Sequence, residues 1–112
     1  MQADLDKIKE AQDLIQERYA EKLSISDLAR AAGMCQTKFK LLYRKYTGLS
    51  PHQMIIQLRI NQAACLLQES DHNISEIAFQ VGYNSLSHFT ALFKRIKGKS
   101  PTAYRNQMRQ GC

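Results

Sequence analysis

The side chains best suited to chemistry in this chain are cations at helical spacing. Lys38, Lys40, Arg44 and Lys45 fall close together, and Lys94 and Arg95 repeat the last two of them 50 residues later. Ammonium and guanidinium groups on one helix face bind oxyanions, phosphate above all. Neutral donors and acceptors are interleaved with them: Gln36 and Thr37 in the first stretch, Ser87, His88 and Thr90 in the second. All ten acids lie within residues 1–27 or 69–76. Residues 28–68 add Arg30 and Arg59 to the cations, and residues 77–112 add Lys97, Lys99, Arg105 and Arg109. A surface that merely keeps a protein in solution mixes its signs. Two separate acid-free segments in a chain of net charge +6 predict a polyanionic partner. Composition alone fits DNA, RNA or an anionic membrane.

Other chemistries find little support. Cys35, Cys65 and Cys112 are widely spaced and make no CxxC or zinc pattern; free thiols in a reducing compartment are the plain expectation. His52, His72 and His88 share no ligand spacing with them, so no metal and no cofactor is expected. Cys35, at the start of a basic helix, has the position of a thiol with a lowered pKa, against which stands a buried or idle role. Glu69, Asp71 and His72 cluster, but no nucleophile or phosphate loop accompanies them, and the expectation is a polar loop and no enzyme. No apolar run reaches transmembrane length, and the polar start MQADLDKIKE has no secretory core. A cytoplasmic chain with no membrane partner follows as an expectation.

The elements that must position these cations read as helices. Residues 3–22 form an amphipathic helix with Leu5, Ile8, Leu14, Ile15 and Tyr19 near one face and Asp4 and Asp6 suited to its first turn; its acidic balance makes it a poor surface for phosphates, and it reads as a packing helix. Ser24 and Asp27 make a capping box that starts a short helix carrying Ile25, Leu28 and Ala29, and Gly33 ends it. A second helix begins near Gln36 or Thr37. Its apolar face is Phe39, Leu42, Tyr43 and Tyr46, and its outer face holds Thr37, Lys38, Lys40, Leu41, Arg44 and Lys45. Gly48 closes it. Ser50–Pro51 then opens one long helix, 50–69, with Met54, Ile55, Leu58, Ala63, Leu66 and Leu67 apolar.

After that helix the pattern repeats. Asn73 and Glu76 match Ser24 and Asp27, Ile74, Ile77 and Ala78 match Ile25, Leu28 and Ala29, and Gly82 matches Gly33, all at an offset of 49. One residue is inserted in the turn. Phe89, Leu92, Phe93 and Ile96 then match Phe39, Leu42, Tyr43 and Tyr46 at an offset of 50, with Gly98 for Gly48 and Ser100–Pro101 for Ser50–Pro51. The outer face is Ser87, His88, Thr90, Ala91, Lys94 and Arg95. A last helix, from Pro101 to about Met108, sets Ala103, Tyr104 and Met108 against the core, and the tail QGC frays. Each unit, a short helix, a glycine turn and a longer basic helix, is a helix-turn-helix.

Such a unit places its second helix in the DNA major groove. The readers are then Gln36–Lys45 and Leu86–Arg95. Lys40 and the small polar residues reach base edges, and Arg44, Lys45, Lys94 and Arg95, a turn later, suit phosphates, as do Lys38, His88 and Thr90. The two faces differ, which predicts a non-palindromic site. Successive major-groove faces lie about 34 Å apart, and a helix over 50–69 is about 30 Å long, close to that spacing. Arg59 on this helix pairs with an acid such as Glu76 or meets the DNA backbone. The expected organisation is a first subdomain over 1–49, a linker helix over 50–69 and a second subdomain over 70–112.

The chain resembles the DNA-binding domain of the AraC/XylS family of bacterial transcription regulators. The residues that carry this are ISDLARAAGM, FKLLYRKYTGLSPHQ, Arg59 with Ala63 and Leu66–Leu67, ISEIAFQVGYNSLSHFTALFKRIKGKSP, and Tyr104–Arg105. The resemblance implies an all-α fold of about seven helices, with two helix-turn-helix subdomains joined by a long central helix. It implies base reading by Thr37, Lys40 and Leu41 and by Leu86, Ser87 and Ala91, a sequence-specific regulator that is usually an activator, and contact with RNA polymerase as a second role. It also implies a bacterial nucleoid location and, in this part of the chain, no bound small molecule. Leu41 and Ala91 stand where members often carry a hydrogen-bonding residue. Neither can grip guanine in a bidentate contact; each could touch a thymine methyl.

Overall fold

The computed structural model describes residues 2–110. They form seven α-helices and, among the described residues, no strand: α1 (Gln2–Arg18), α2 (Ile25–Ala31), α3 (Gln36–Thr47), α4 (Pro51–Glu69), α5 (Ile74–Gln80), α6 (Leu86–Lys97) and α7 (Pro101–Gln110). The all-α reading with seven helices holds. Cys112 and the expected fraying of the tail fall outside the described residues. The chain divides into two compact units, Met1–Leu58 and Arg59–Cys112. The division falls inside α4, between Leu58 and Arg59.

The ends of the helices follow the local chemistry. Ser24 accepts the Asp27 N–H on its hydroxyl at 3.4 Å. Asn73 accepts the Glu76 N–H at 2.8 Å, and its side-chain amide donates back to the Glu76 carboxylate at 2.8 Å. Both short helices close with the same pair of bonds. Gly33 N–H reaches Arg30 O at 3.0 Å and Met34 N–H reaches Ala29 O at 3.0 Å; Gly82 N–H reaches Phe79 O at 3.1 Å and Tyr83 N–H reaches Ala78 O at 2.9 Å. This double closure needs a left-handed residue just past the helix, and Gly33 and Gly82 supply it at φ +71° and +108°. The long helix has a full capping box that Ser50–Pro51 alone did not reveal. Ser50 accepts the Gln53 N–H at 3.2 Å, and the Gln53 side chain accepts the Ser50 N–H at 3.0 Å.

In the first unit, Ile8, Ala11 and Ile15 of α1 pack with Leu28, Ala29 and Ala32, with Phe39 and Tyr43 of α3, and with Ile55 of α4. Phe39 and Tyr43 are fully buried, their rings 5.8 Å apart at 48°. The Tyr43 hydroxyl donates to the Gln12 side-chain carbonyl on α1, which ties α3 to the opening helix. The second unit buries Ile60, Ala63, Ala64 and Leu67 of α4 with Ile77, Ala78, Val81, Phe89 and Phe93. Phe89 and Phe93 repeat the aromatic pair of the first unit, 5.8 Å apart at 47°. The repeat seen in sequence is thus a repeat of packing geometry.

Three details differ from the sequence reading. The opening helix ends at Arg18, not near residue 22, and a turn follows in which Glu21 N–H bonds Arg18 O at 2.9 Å. Tyr46, expected in the buried face of α3, is 37% exposed; it sits in the last turn of the helix beside the Lys45 ammonium, 5.8 Å from its ring. Ala103 of α7 is exposed, whereas Tyr104 is half-buried and meets Phe93 edge-on at 5.3 Å. Adjacent helical residues point 100° apart, so a core-facing stripe that holds Tyr104 leaves Ala103 outside it.

Candidate nucleic-acid interface

The outer faces of α3 and α6 are built by what lies beneath them. Phe39 and Tyr43 anchor one side of α3 in the core, so Gln36, Thr37, Lys38, Lys40, Leu41, Arg44 and Lys45 are all exposed on the remainder. Phe89, Leu92 and Phe93 anchor α6 in the same way, and Leu86, Ser87, His88, Ala91, Lys94 and Arg95 are exposed. Thr90 is half-buried. Both helices end on a left-handed glycine, Gly48 at φ +85° and Gly98 at +82°. Their last turns carry Arg44 with Lys45 and Lys94 with Arg95 and Lys97, where cations also favour the helix dipole.

Not every expected contact residue is equally available. Lys38 reaches across to Asp4 of α1 at 3.9 Å, so one of its donors faces the acidic helix. The Thr90 hydroxyl donates to Ser87 O within the helix at 3.1 Å. The His88 ring is held edge-on against Tyr83, 5.5 Å between centroids, and its backbone N–H is capped by Ser85 at 3.2 Å. Lys40, Arg44, Lys94 and Arg95 have no ion-pair partner among the described residues. They are the cations best placed to meet an external anion.

Several other cations of the acid-free segments hold the fold together. Arg59 donates to the Gly82 carbonyl at 3.3 Å, with its guanidinium 5.0 Å over the Tyr83 ring. It secures α4 to the second unit through a turn carbonyl and a ring, while Glu76 is engaged by His72 and Asn73, at 2.8 Å each. Burial raises the pKa of the Tyr83 hydroxyl, and the neighbouring Arg59 guanidinium opposes this only in part. Arg105 donates to the carbonyls of Leu67 at 3.0 Å and Ser70 at 3.1 Å. Arg109 donates to Ser70 O at 2.6 Å and pairs with Asp71 at 3.1 Å. α4 has no glycine at its end, so two arginines of α7 satisfy the carbonyls a C-cap would otherwise serve. Lys97 donates to Asn61 at 3.0 Å.

Sequence reasoning offered Arg59 a structural role, with Glu76 in place of Gly82 as its partner, and missed the roles of Arg105 and Arg109. A signal was present: Arg105 and Arg109 are four apart, on one face of a helix, following a long helix without a C-terminal glycine. The Glu69–His72 cluster is resolved in the same terms. Asp71 pairs with Arg109 and His72 with Glu76, and Cys35 and Cys65 are exposed free thiols.

Known proteins with this arrangement are numerous. A family model described as a helix-turn-helix domain matches residues 28–107. The transcriptional activator RhaR of Yersinia pseudotuberculosis is 32% identical over 93 residues, which are 83% of this chain and 32% of RhaR. The DNA-binding domain of the global transcriptional factor AdpA, solved in complex with a target DNA, superposes with a TM-score of 0.87 at 33% identity, covering 92% of this chain and 93% of that one. A transcriptional regulator with an AraC-type DNA-binding domain from Chromobacterium violaceum gives 0.84 at 28% identity, with 98% of both chains covered. The chain spans about a third of the length of the curated relatives it matches. No helix among the described residues is long and apolar enough to cross a membrane. The matched span and the likeness of the whole fold point to one group of proteins, and the chain belongs to the AraC-type helix-turn-helix family of DNA-binding transcription regulators.

Proposed function

We propose that this chain reads a two-part, non-palindromic DNA site, with α3 and α6 entering successive major-groove segments, and that the protein it serves activates transcription in the bacterial nucleoid. One observation carries the reading. Two helices with the same buried aromatic pair present unlike outer faces, with two cations in the last turn of α3, three in that of α6, and no acid in either helix. Thr37, Lys40, Leu41, Leu86, Ser87 and Ala91 read bases, with Gln36 at the entry of α3. Arg44, Lys45, Lys94 and Arg95 bind phosphates, with Lys38, His88 and Thr90 contributing less, since each already has a partner in the fold. The chain performs no catalysis in this reading and binds no small molecule; an effector would act through another part of the regulator.

A binding titration against salt tests this. Neutralising about 6 phosphates gives a log–log slope near −5, and a selected duplex binds far more tightly than a scrambled one. A flat slope, or equal affinity for every duplex, overturns the reading. The exposed acids of α1, among them Asp6, Glu10, Asp13 and Glu17, offer a surface for RNA polymerase. Retention of purified polymerase by the chain without DNA supports that contact, and its absence on the assembled promoter complex removes it.

A further inference from the structure

Four large hydrophobic side chains are notably exposed among the described residues: Leu41, Tyr46, Phe79 and Leu86. Leu41 and Leu86 lie on the two outer faces that carry the cations. Leu41 is 68% exposed. Thr37 lies four residues before it and Arg44 and Lys45 three and four after it, positions that bring these three side chains around it on the helix surface. Its rotation, opposite Phe39 and Tyr43, keeps it out of the core. Leu86 is 45% exposed at the first turn of α6, the end of a reading helix that meets base edges.

A leucine has no polar atom with which to read a donor or an acceptor. It gains from a ligand only by removing apolar surface from water. The major groove displays one apolar group on its base edges, the C5-methyl of thymine. Single exposed leucines are common. An aliphatic side chain on both reading faces, ringed by cations on the first, is a more specific pattern.

We propose that Leu41 and Leu86 each select thymine through its C5-methyl group, so that the target carries a thymine beneath each unit. This rests on the DNA-reading assignment and adds the base identity. It also explains how a unit works with no bidentate side chain at these positions: phosphate contacts set the register, and an apolar contact supplies part of the choice of base.

The test starts from duplexes that the chain itself enriches from a random pool. Each conserved thymine is replaced singly by deoxyuridine, which pairs identically and lacks only the methyl. At one thymine per unit, affinity falls about fourfold, the worth of one methyl group taken out of water. The Leu41→Ala chain, which folds because Leu41 is exposed, shows no such loss at the first position and keeps it at the second; Leu86→Ala does the reverse. Tight, selective binding in which every deoxyuridine duplex matches its thymine parent overturns the inference and leaves DNA reading intact. A penalty that survives both substitutions, or an enriched site with no thymine in a half, also overturns it. If no sequence is enriched at all, the underlying assignment fails and the inference with it.

Discussion

Arg59 lies with its guanidinium 5.0 Å over the ring of Tyr83 and donates to the carbonyl of the residue before it, Gly82, at 3.3 Å. Gly82 is the left-handed residue that closes α5, so the arginine grips the turn between the two helices of the second unit. Tyr83 in turn packs against His88 and Phe89 of α6, at 5.5 and 5.8 Å. A cation on α4 thereby steadies α6 through one aromatic ring.

Arg59→Ala is therefore expected to cost stability. A hydrogen bond from a charged donor is worth about 1.5–3 kcal/mol, so urea unfolding should shift by about that amount. Arg59→Lys should recover only part of it, because an ammonium cannot lie flat on a ring while donating sideways. If unfolding is unchanged and the salt slope of DNA binding drops by about 1, Arg59 is a phosphate ligand instead.

The cations of the two acid-free segments should separate by the same pair of measurements. Arg44→Ala and Lys94→Ala each reduce the salt slope by about 1 and alter stability by less than about 0.5 kcal/mol, as exposed positions do. Arg105→Ala leaves the Leu67 carbonyl without its donor and costs about 1–3 kcal/mol with no change in the slope. Equal behaviour of all three variants in both assays would mean that the charges are not divided in this way.

Tyr43 predicts a dependence on alkaline pH. Burial pushes its hydroxyl from the ordinary 10.0 to about 12. The pKa is raised on folding, so the contribution to stability is complete below pH 10 and is lost as pH climbs from there to about 12, because the unfolded chain ionises first. Tyr43→Phe should flatten the fall in urea midpoint over that range, leaving the part due to Tyr83, whose hydroxyl is raised in the same direction. At neutral pH the variant loses the bond to Gln12, about 1 kcal/mol. Identical pH slopes for the two chains would show that Tyr43 is not the group responsible.

Periodicity and punctuation in the sequence determined the order of the helices, the doubling of the unit, the buried aromatic pairs and the outer faces of α3 and α6. They could do so because each depends on residues within a few turns of one another: caps act over three residues, glycine closures over five, and a helix face repeats every three or four. Tertiary structure alone decided which cations remain for a ligand. Arg59, Arg105 and Arg109 carry the same charge as Arg44, Lys94 and Arg95, and although the i, i+4 spacing of Arg105 and Arg109 hints at a shared role, the carbonyls that engage all three lie 23 to 39 residues away. A long charged side chain binds whichever acceptor the fold brings within 3 Å, and nothing local to the arginine states where that acceptor will be.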